Sequence, residues 1–459
     1  MRIIRFLLMI GAIYLTNQPI HQLHSISPLH EVIIDPVYNL AWSPEGNYLA
    51  VATNVVDVAN QQFAGKLSIY TPQLDLITQL DYQMPVLSVT WGKDGDKLVM
   101  TANQQIEIFQ WYSPTLTLEQ IIDTDGISLF VTGNSNNAMI AVVELIEYEQ
   151  GYEKFFVNYR VSFWDMQTGE QQSITNLYIQ TRTQSKFDPN EINEFTGAVF
   201  LNLIEWSEDG SELYAVGSLR NNNNDNNGSL EYLESNQFIV ISPQTGEVIR
   251  KTDFSYSIEP RTIAVRPRTN IISVSREFAI GNHDTETGEF LYNFHSDFDA
   301  VVIKWSRDGR FVFVDGDLET DDEVIGTFDN GDYHSVFSAD WHPYRPIIAI
   351  GSLTGRLTVE DATQFEGFTA SPIANAGESR IVYVGGDLTA DVQLDASASV
   401  DYDGTITGYE WREGESILST NIIADVNLPI GIHDIRLTVT DNDNLTDSVI
   451  IQIDVQNRP

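Results

Sequence analysis

Two short acidic turns hold the residues of this sequence best suited to chemistry. Asp401 and Asp403 stand two apart in "DYDG", and Asp441 and Asp443 stand two apart in "DNDN". Loop carboxylates at such spacing are hard oxygen donors, and calcium, which takes about six to eight oxygens, is the cation they suit. The same side chains also staple turns by accepting hydrogen bonds from backbone amides two residues on. Both readings stand for Asp401, Asp403, Asp441 and Asp443, which are the calcium candidates of this chain.

Other chemistries find little support. The stretch Asp315–Glu323, "DGDLETDDE", has the composition of a calcium loop, but the EF-hand places for Gly and Glu hold Thr320 and Gly326, so it reads as a solvated turn. The histidines, His21, His24, His30, His283, His295, His334, His342 and His433, show no helical metal-ligand spacing and no HExxH. Neither G-x-S-x-G nor a phosphate-binding loop occurs. Cysteine is absent, which excludes disulfides, thiol catalysis and zinc fingers. With 65 Asp and Glu in the chain, carboxylate pairs arise by chance and are no sign of catalysis. No catalytic residue and no organic cofactor is assigned.

Those 65 acidic residues face only 25 Lys and Arg, a formal charge of −40 that repels phosphate backbones and anionic headgroups and sets nucleic acid aside as a partner. At 459 residues the chain is long enough for two domains. Arg2 and Arg5 precede the apolar run Phe6–Leu15, so residues 1–22 read as a signal peptide or N-terminal anchor. The expectation is a secreted or cell-surface protein, extracytoplasmic in a bacterium, with no membrane contact beyond that anchor.

The elements that must position any site repeat along the chain. "NLAWSPEGNYLAVAT" at Asn39–Thr53 returns around Trp91, Trp206, Trp305 and Trp341, with degenerate copies near Phe130 and Val265. Each copy joins an apolar strand, a polar turn with Gly, and a second alternating strand. "QTGE" at Gln167 and Gln244 and "ETGE" at Glu286 mark hairpins further along three of the units. Trp42 to Trp91 spans 49 residues and Trp305 to Trp341 spans 36, bracketing the ~40–45 residues of a four-stranded propeller blade.

On the W-S-x-D-G turn above all, residues 28–368 resemble the WD40 family. The resemblance implies an all-β fold, a WD40-like β-propeller, and the seven copies of the unit make it seven-bladed, with six or eight blades as the alternatives. The family's Gly-His dipeptide is missing, and a Trp-Asp pair occurs only at Trp164 and Asp165. Too little chain follows Arg356–Ala362 for another strand, so His30–Asp35 is expected to complete the last blade. Asn221–Ser229 and Tyr178–Phe195 read as insertions.

From Ser371 the texture changes to short alternating strands with Asp/Gly turns, as in a β-sandwich. Residues 371–456 resemble the PKD family of immunoglobulin-like domains, on Asp395, Ser397, Ser399, Asp401, Asp403, Gly404, Tyr409 and Trp411. This implies a C-terminal immunoglobulin-like β-sandwich with Trp411 in its core; Arg412–Ser416 departs from the family pattern, and no role is carried over there. The ending "VQNRP" suggests a linker to a further module.

Taken together, these features lead to the expectation of a monomeric, non-enzymatic binding scaffold. Its propeller would present a face to a protein or polysaccharide partner, with the sandwich as spacer or adhesion module. The alternative is a secreted hydrolase with a carboxylate or metal site in the propeller channel.

Overall fold

The computed structural model describes residues 25–57, 62–134, 138–150, 154–182, 203–217, 237–253, 262–276, 279–294, 300–328, 336–384 and 388–458. The expected leader, the Asn221–Ser229 run and residues 183–195 lie outside the described residues. The chain divides into two compact units, Met1–Pro343 with Ile347–Ala362, and Tyr344–Pro346 with Thr363–Pro459. Among the described residues no helix is long and apolar enough to cross a membrane.

The larger unit is built from seven antiparallel sheets, six of four strands and one of five. Blade one runs Val37–Trp42, Leu49–Asp57, Gln62–Tyr70 and Leu76–Tyr82. The innermost strands of the next six are Ser88–Trp91, Ile127–Gly133, Ile204–Trp206, Ile263–Arg266, Ile303–Trp305 and Val336–Trp341. The sixth sheet gains Ser25–Ile26, pairing parallel with Val324–Phe328. The last sheet takes its outer strand from the other end of the chain, His30 pairing with Val359 and Ile33 with Arg356. That is the closure expected from the unused N-terminal strand.

The recurring Trp has a physical reason. A blade's innermost strand leaves backbone groups along its free edge, and the indoles reach across the seam to satisfy them. Trp42 Nε1 donates to Asp340 O at 3.1 Å, Trp91 to Ala41 O at 3.0 Å, Trp206 to Thr132 O at 3.3 Å and Trp341 to Lys304 O at 2.9 Å. Trp305 instead donates to Ser273 Oγ at 2.9 Å, within blade five, whose strand carries Val265 where five of the blades carry Trp. The turn glycines Gly46, Gly95, Gly210 and Gly309 all lie near φ +70° (70°, 69°, 69° and 69°), where a Cβ is strained.

The degenerate turns supply a second latch. His342 Nε2 lies 3.0 Å from Gly46 O, Asn134 Nδ2 donates to Gly210 O at 2.7 Å, and Arg266 Nε donates to Gly309 O at 2.6 Å. Each of these residues follows the Trp position of its own blade and reaches the turn of the next. The loss of the Ser-x-Asp-Gly pattern in blades three, five and seven is thus an exchange of a self-contained turn for a bond to a neighbour.

At "QTGE" and "ETGE", Gly169, Gly246 and Gly288 donate back to Asp165, Ser242 and Asp284 carbonyls at 2.8, 2.8 and 2.7 Å, so these are hairpin turns. The structure corrects one boundary: Tyr178–Arg182, expected to open an insertion, instead ends a strand, Gln171–Arg182. That strand pairs across its length with Lys154–Asp165.

In the smaller unit a five-stranded sheet orders Arg380–Val384, Thr446–Asn457, Gly431–Asp441, Ile406–Glu413 and Ser416–Ser419, and Thr389–Asp395 pairs with Ile423–Pro429. Alternation sets the core: Leu437, Ile435, Val439, Ile453 and Leu394 are buried around Trp411, which is fully buried. Its Nε1 donates to Asn421 O at 3.0 Å, which is how an indole is accommodated in an apolar core.

Candidate functional site

Asp401 and Asp403 sit in the turn before the strand Ile406–Glu413, and Asp441 ends the strand Gly431–Asp441, whose register sets Ile406 against Asp441. Sheet pairing therefore brings the two acidic turns to one end of the sandwich. Asp441 uses one oxygen as a turn staple, Oδ1 accepting from Asp443 N and Leu445 N at 2.8 Å each. Its other oxygen, Oδ2, is buried without a hydrogen-bond partner, and the residue is only 1% exposed. Asp403 shows the same division. Oδ2 accepts from Ala370 N at 2.8 Å, while Oδ1 is buried and unpartnered.

Burial, then the hydrogen bond and charge of Asp403, and the charge of Asp441 lift the Asp401 carboxyl to about 6. Asn442 closes the rim, its Oδ1 accepting from Thr405 N at 2.6 Å. Of the four calcium candidates the structure brings together Asp401, Asp403 and Asp441. Asp443 is exposed and joins only through its amide. Among the described residues no group of three or more His, Cys, Asp or Glu forms a ready-made metal cage. Asp403 Oδ1 and Asp441 Oδ2 are thus two buried acceptor oxygens without a hydrogen-bond partner at this end of the sandwich.

The propeller axis shows a different economy. Polar side chains of each innermost strand are spent on the amides of the next: Ser338 Oγ accepts from Leu40 N at 3.1 Å, Asp340 Oδ2 from Trp42 N at 2.9 Å and Asn39 Oδ1 from Val89 N at 2.9 Å. Ser88 Oγ accepts from Val131 N at 3.2 Å and Thr90 Oγ1 from Gly133 N at 3.0 Å. Burial raises the Asp340 carboxyl, with Lys304 pulling it back, and the group is already engaged as a cap.

No family model matches the chain, and no curated protein matches it. Among solved structures it is similar to the β-propeller domain of Myceliophteria thermophila Cps50 (Swd1), with a TM-score of 0.50 and 12% identity, over 72% of this chain and 98% of that one. The larger unit is a seven-bladed β-propeller. At that identity the likeness speaks for the fold alone.

Two of the propeller's buried acids, Glu107 and Glu144, accept hydrogen bonds from neighbouring side chains. Tyr82 OH donates to Glu107 Oε2 at 2.9 Å, and burial raises both groups. Ser162 Oγ donates to Glu144 Oε1 at 2.5 Å and receives Trp164 Nε1 at 2.8 Å. The Asp315–Glu323 stretch carries a cap, Asp315 Oδ1 accepting from Val302 N at 2.7 Å, and an ion pair, Asp321 with Arg266 at 2.8 Å. Missed from the sequence was Asp447, whose Oδ2 accepts from Ala374 N at 2.9 Å; Ser399, flagged only through the family resemblance, accepts at Oγ from Asn375 N at 2.9 Å. Their partners are backbone amides in a distant segment, for which side-chain spacing holds no signal.

Proposed function

We propose that this chain is an exported, non-enzymatic scaffold whose propeller binds a protein or polysaccharide partner and whose PKD-like sandwich serves as spacer or adhesion module. The observation that carries this reading is the use of axial polar side chains, from Ser338 and Asp340 through Asn39, Ser88 and Thr90, as caps on neighbouring backbone. Catalytic carboxylates need a free lone pair near the reacting atoms, and the one carboxylate of this set, Asp340, spends Oδ2 on the Trp42 amide. Rigid, latched blades instead offer a preformed surface, which lowers the entropic cost of association. Arg2, Arg5 and the Phe6–Leu15 run support export.

The test is capture by purified residues 23–459 from envelope and secreted fractions of the producing organism, followed by titration of the captured species. Saturable binding of one species at fixed stoichiometry supports the scaffold. Turnover of glycoside or ester substrates that is lost on Asp340→Asn would overturn it in favour of the hydrolase.

A second reading concerns the sandwich, where the orphaned Asp403 Oδ1 and Asp441 Oδ2 favour a divalent cation, calcium by its taste for carboxylate oxygen. Asp401, Asp403 and Asp441 would hold it, with water completing the shell. So few protein ligands imply a dissociation constant of roughly 10⁻⁴–10⁻³ M, the range of extracellular modules. Calorimetric titration of calcium into the chain tests this.

A further inference from the structure

We propose that the cavity in the closing seam of the propeller, between the strand His30–Ile33 and blade one, binds a neutral sugar residue of a glycan chain. The inference rests on the scaffold reading above and gives a polysaccharide partner its point of attachment.

The cavity holds about 340 Å³, at the small end of the roughly 300–1,000 Å³ of ligand sites. Its floor is one face of blade one. Lys66, Ser68 and Tyr70 alternate along the third strand, and pairing sets Thr53 opposite Lys66 and Gln79 opposite Ser68. Ile33, which ends the closing strand, and the next two residues, Ile34 and Asp35, form the other wall.

The cavity exists because two fillers found in other seams are missing from this one. Tyr70, Phe109 and Trp164 are counterparts in blades one, two and three, since each pairs through the second strand with the last residue of the innermost strand. Two residues earlier stand Ser68, Glu107 and Ser162. Between blades one and two, Tyr82 at the end of an outer strand donates to Glu107 at 2.9 Å. Between blades two and three, Glu144 is buried and accepts from Ser162. The closing seam has Ile34 in the place of Tyr82, opposite Gly355 as Tyr82 is opposite Gly65. It has Thr53 in the place of Glu144, opposite Lys66 as Glu144 is opposite Arg160. With Ser68 beside them, these shorter side chains leave the space open.

The lining selects the ligand. Lys66 Nζ lies 2.5 Å from Asp35 Oδ2, so the two charges balance and leave none over for a cation. A formal charge of −40 on the whole chain repels anions. An apolar ligand would strip water from Lys66, Ser68 and Gln79 and return no hydrogen bonds. A neutral ligand rich in hydroxyls meets all three conditions, because each hydroxyl both donates and accepts. Among the described residues, the Lys66 ammonium gives one of its three protons to Asp35 Oδ2, leaving donors beside the acceptor Asp35 Oδ1. Ile33, 69% exposed at the rim, offers an apolar contact to the C–H face of a sugar ring. Gln79 is exposed as well, so neighbouring rings of the glycan can leave toward solvent.

The experiment is calorimetric titration of the full chain with glucose, galactose, mannose and N-acetylglucosamine, and with a tetrasaccharide of each. One of these sugars should bind with a dissociation constant of about 1 mM as a single ring, and more tightly as the tetrasaccharide. Asp35→Asn and Gln79→Ala should each weaken binding about tenfold, the loss of one hydrogen bond. Ile34→Tyr combined with Ser68→Glu transplants the filler of the neighbouring seam and should abolish binding with the urea midpoint of the propeller retained; if that variant does not fold, the two single substitutions carry the test. Binding that Asp35→Asn and Gln79→Ala leave unchanged places the sugar elsewhere and overturns the proposal. No binding of any of these sugars far above millimolar concentration also overturns it, and capture of a protein partner in that case leaves the scaffold reading standing. Hydrolysis of a bound tetrasaccharide would overturn the non-enzymatic reading while the cavity assignment stands.

Discussion

Trp91→Phe removes one hydrogen bond from the seam between the first two blades while leaving an aromatic ring in place. The indole of Trp91 donates to Ala41 O at 3.0 Å, and the ring stacks near Tyr48 at 6.4 Å. Losing a neutral bond costs about 1 kcal/mol, depriving a buried carbonyl of its donor adds about 1 kcal/mol or more, and the smaller ring leaves some volume unfilled. The expected destabilisation is therefore about 2–3 kcal/mol. Trp111, 6.2 Å from Trp91 and just as buried, supplies the control, because its Nε1 has no hydrogen-bond partner. Trp111→Phe removes an unsatisfied donor, so its cost should stay under about 1 kcal/mol. Urea unfolding followed by indole emission is the assay: of the eight tryptophans only Trp411 lies in the sandwich, so the signal reports the propeller. Two units need not unfold together, so midpoints are compared within the propeller transition. Equal losses for the two variants would refute the claim that the inter-blade bond, rather than ring burial alone, is what the repeated Trp provides.

Further outcomes follow from the same bonds. Gly210→Ala places a Cβ 2.2 Å from Asn134 Oδ1 at φ +69°, and should lower propeller stability by about 2 kcal/mol or more, read by the same unfolding assay. In His433, burial pulls the imidazole down, but the Pro429 carbonyl (2.8 Å) and Glu413 (2.6 Å) outweigh it, so the pKa ends above its ordinary value. Its stabilising contribution is present at and below the ordinary imidazole range and is lost as pH rises through the elevated value; His433→Gln should flatten that part of the sandwich's stability–pH profile, measured by thermal melts. Burial raises the Glu107 carboxyl, so protonation favours the fold and stability should rise as pH falls through the elevated value. Glu107→Gln should remove that dependence and raise the urea midpoint at neutral pH, since Tyr82 can still donate to the amide oxygen.

How much was legible depended on where the partner of each residue lies. Trp recurs in five of the blades and the turn glycine in four, enough for the repeat, the blade count and the closing strand to be read directly. His342, Asn134 and Arg266 could not, since each answers to a glycine carbonyl in the following blade, and a one-dimensional pattern registers them only as a lost Ser-x-Asp-Gly. Spacing flagged the acidic turns, yet the division of labour within Asp441 and Asp403, and the exclusion of Asp443, are set by the register of Ile406 against Asp441. Tyr178–Arg182 read as an excursion because polar residues interrupt it, whereas a partner strand of matching length holds it in the blade.

The pairing of His30 with Val359 also places a clock on the making of this protein. A ribosome adding roughly 5–20 residues per second needs about 15–65 s to travel between them. For that interval the strand His30–Ile33 has no partner, and the ring of blades has two free edges of the kind that pair with other chains. Premature termination before Arg356 would leave both edges permanently open, so the last blade decides whether the strand His30–Ile33 ever finds its place.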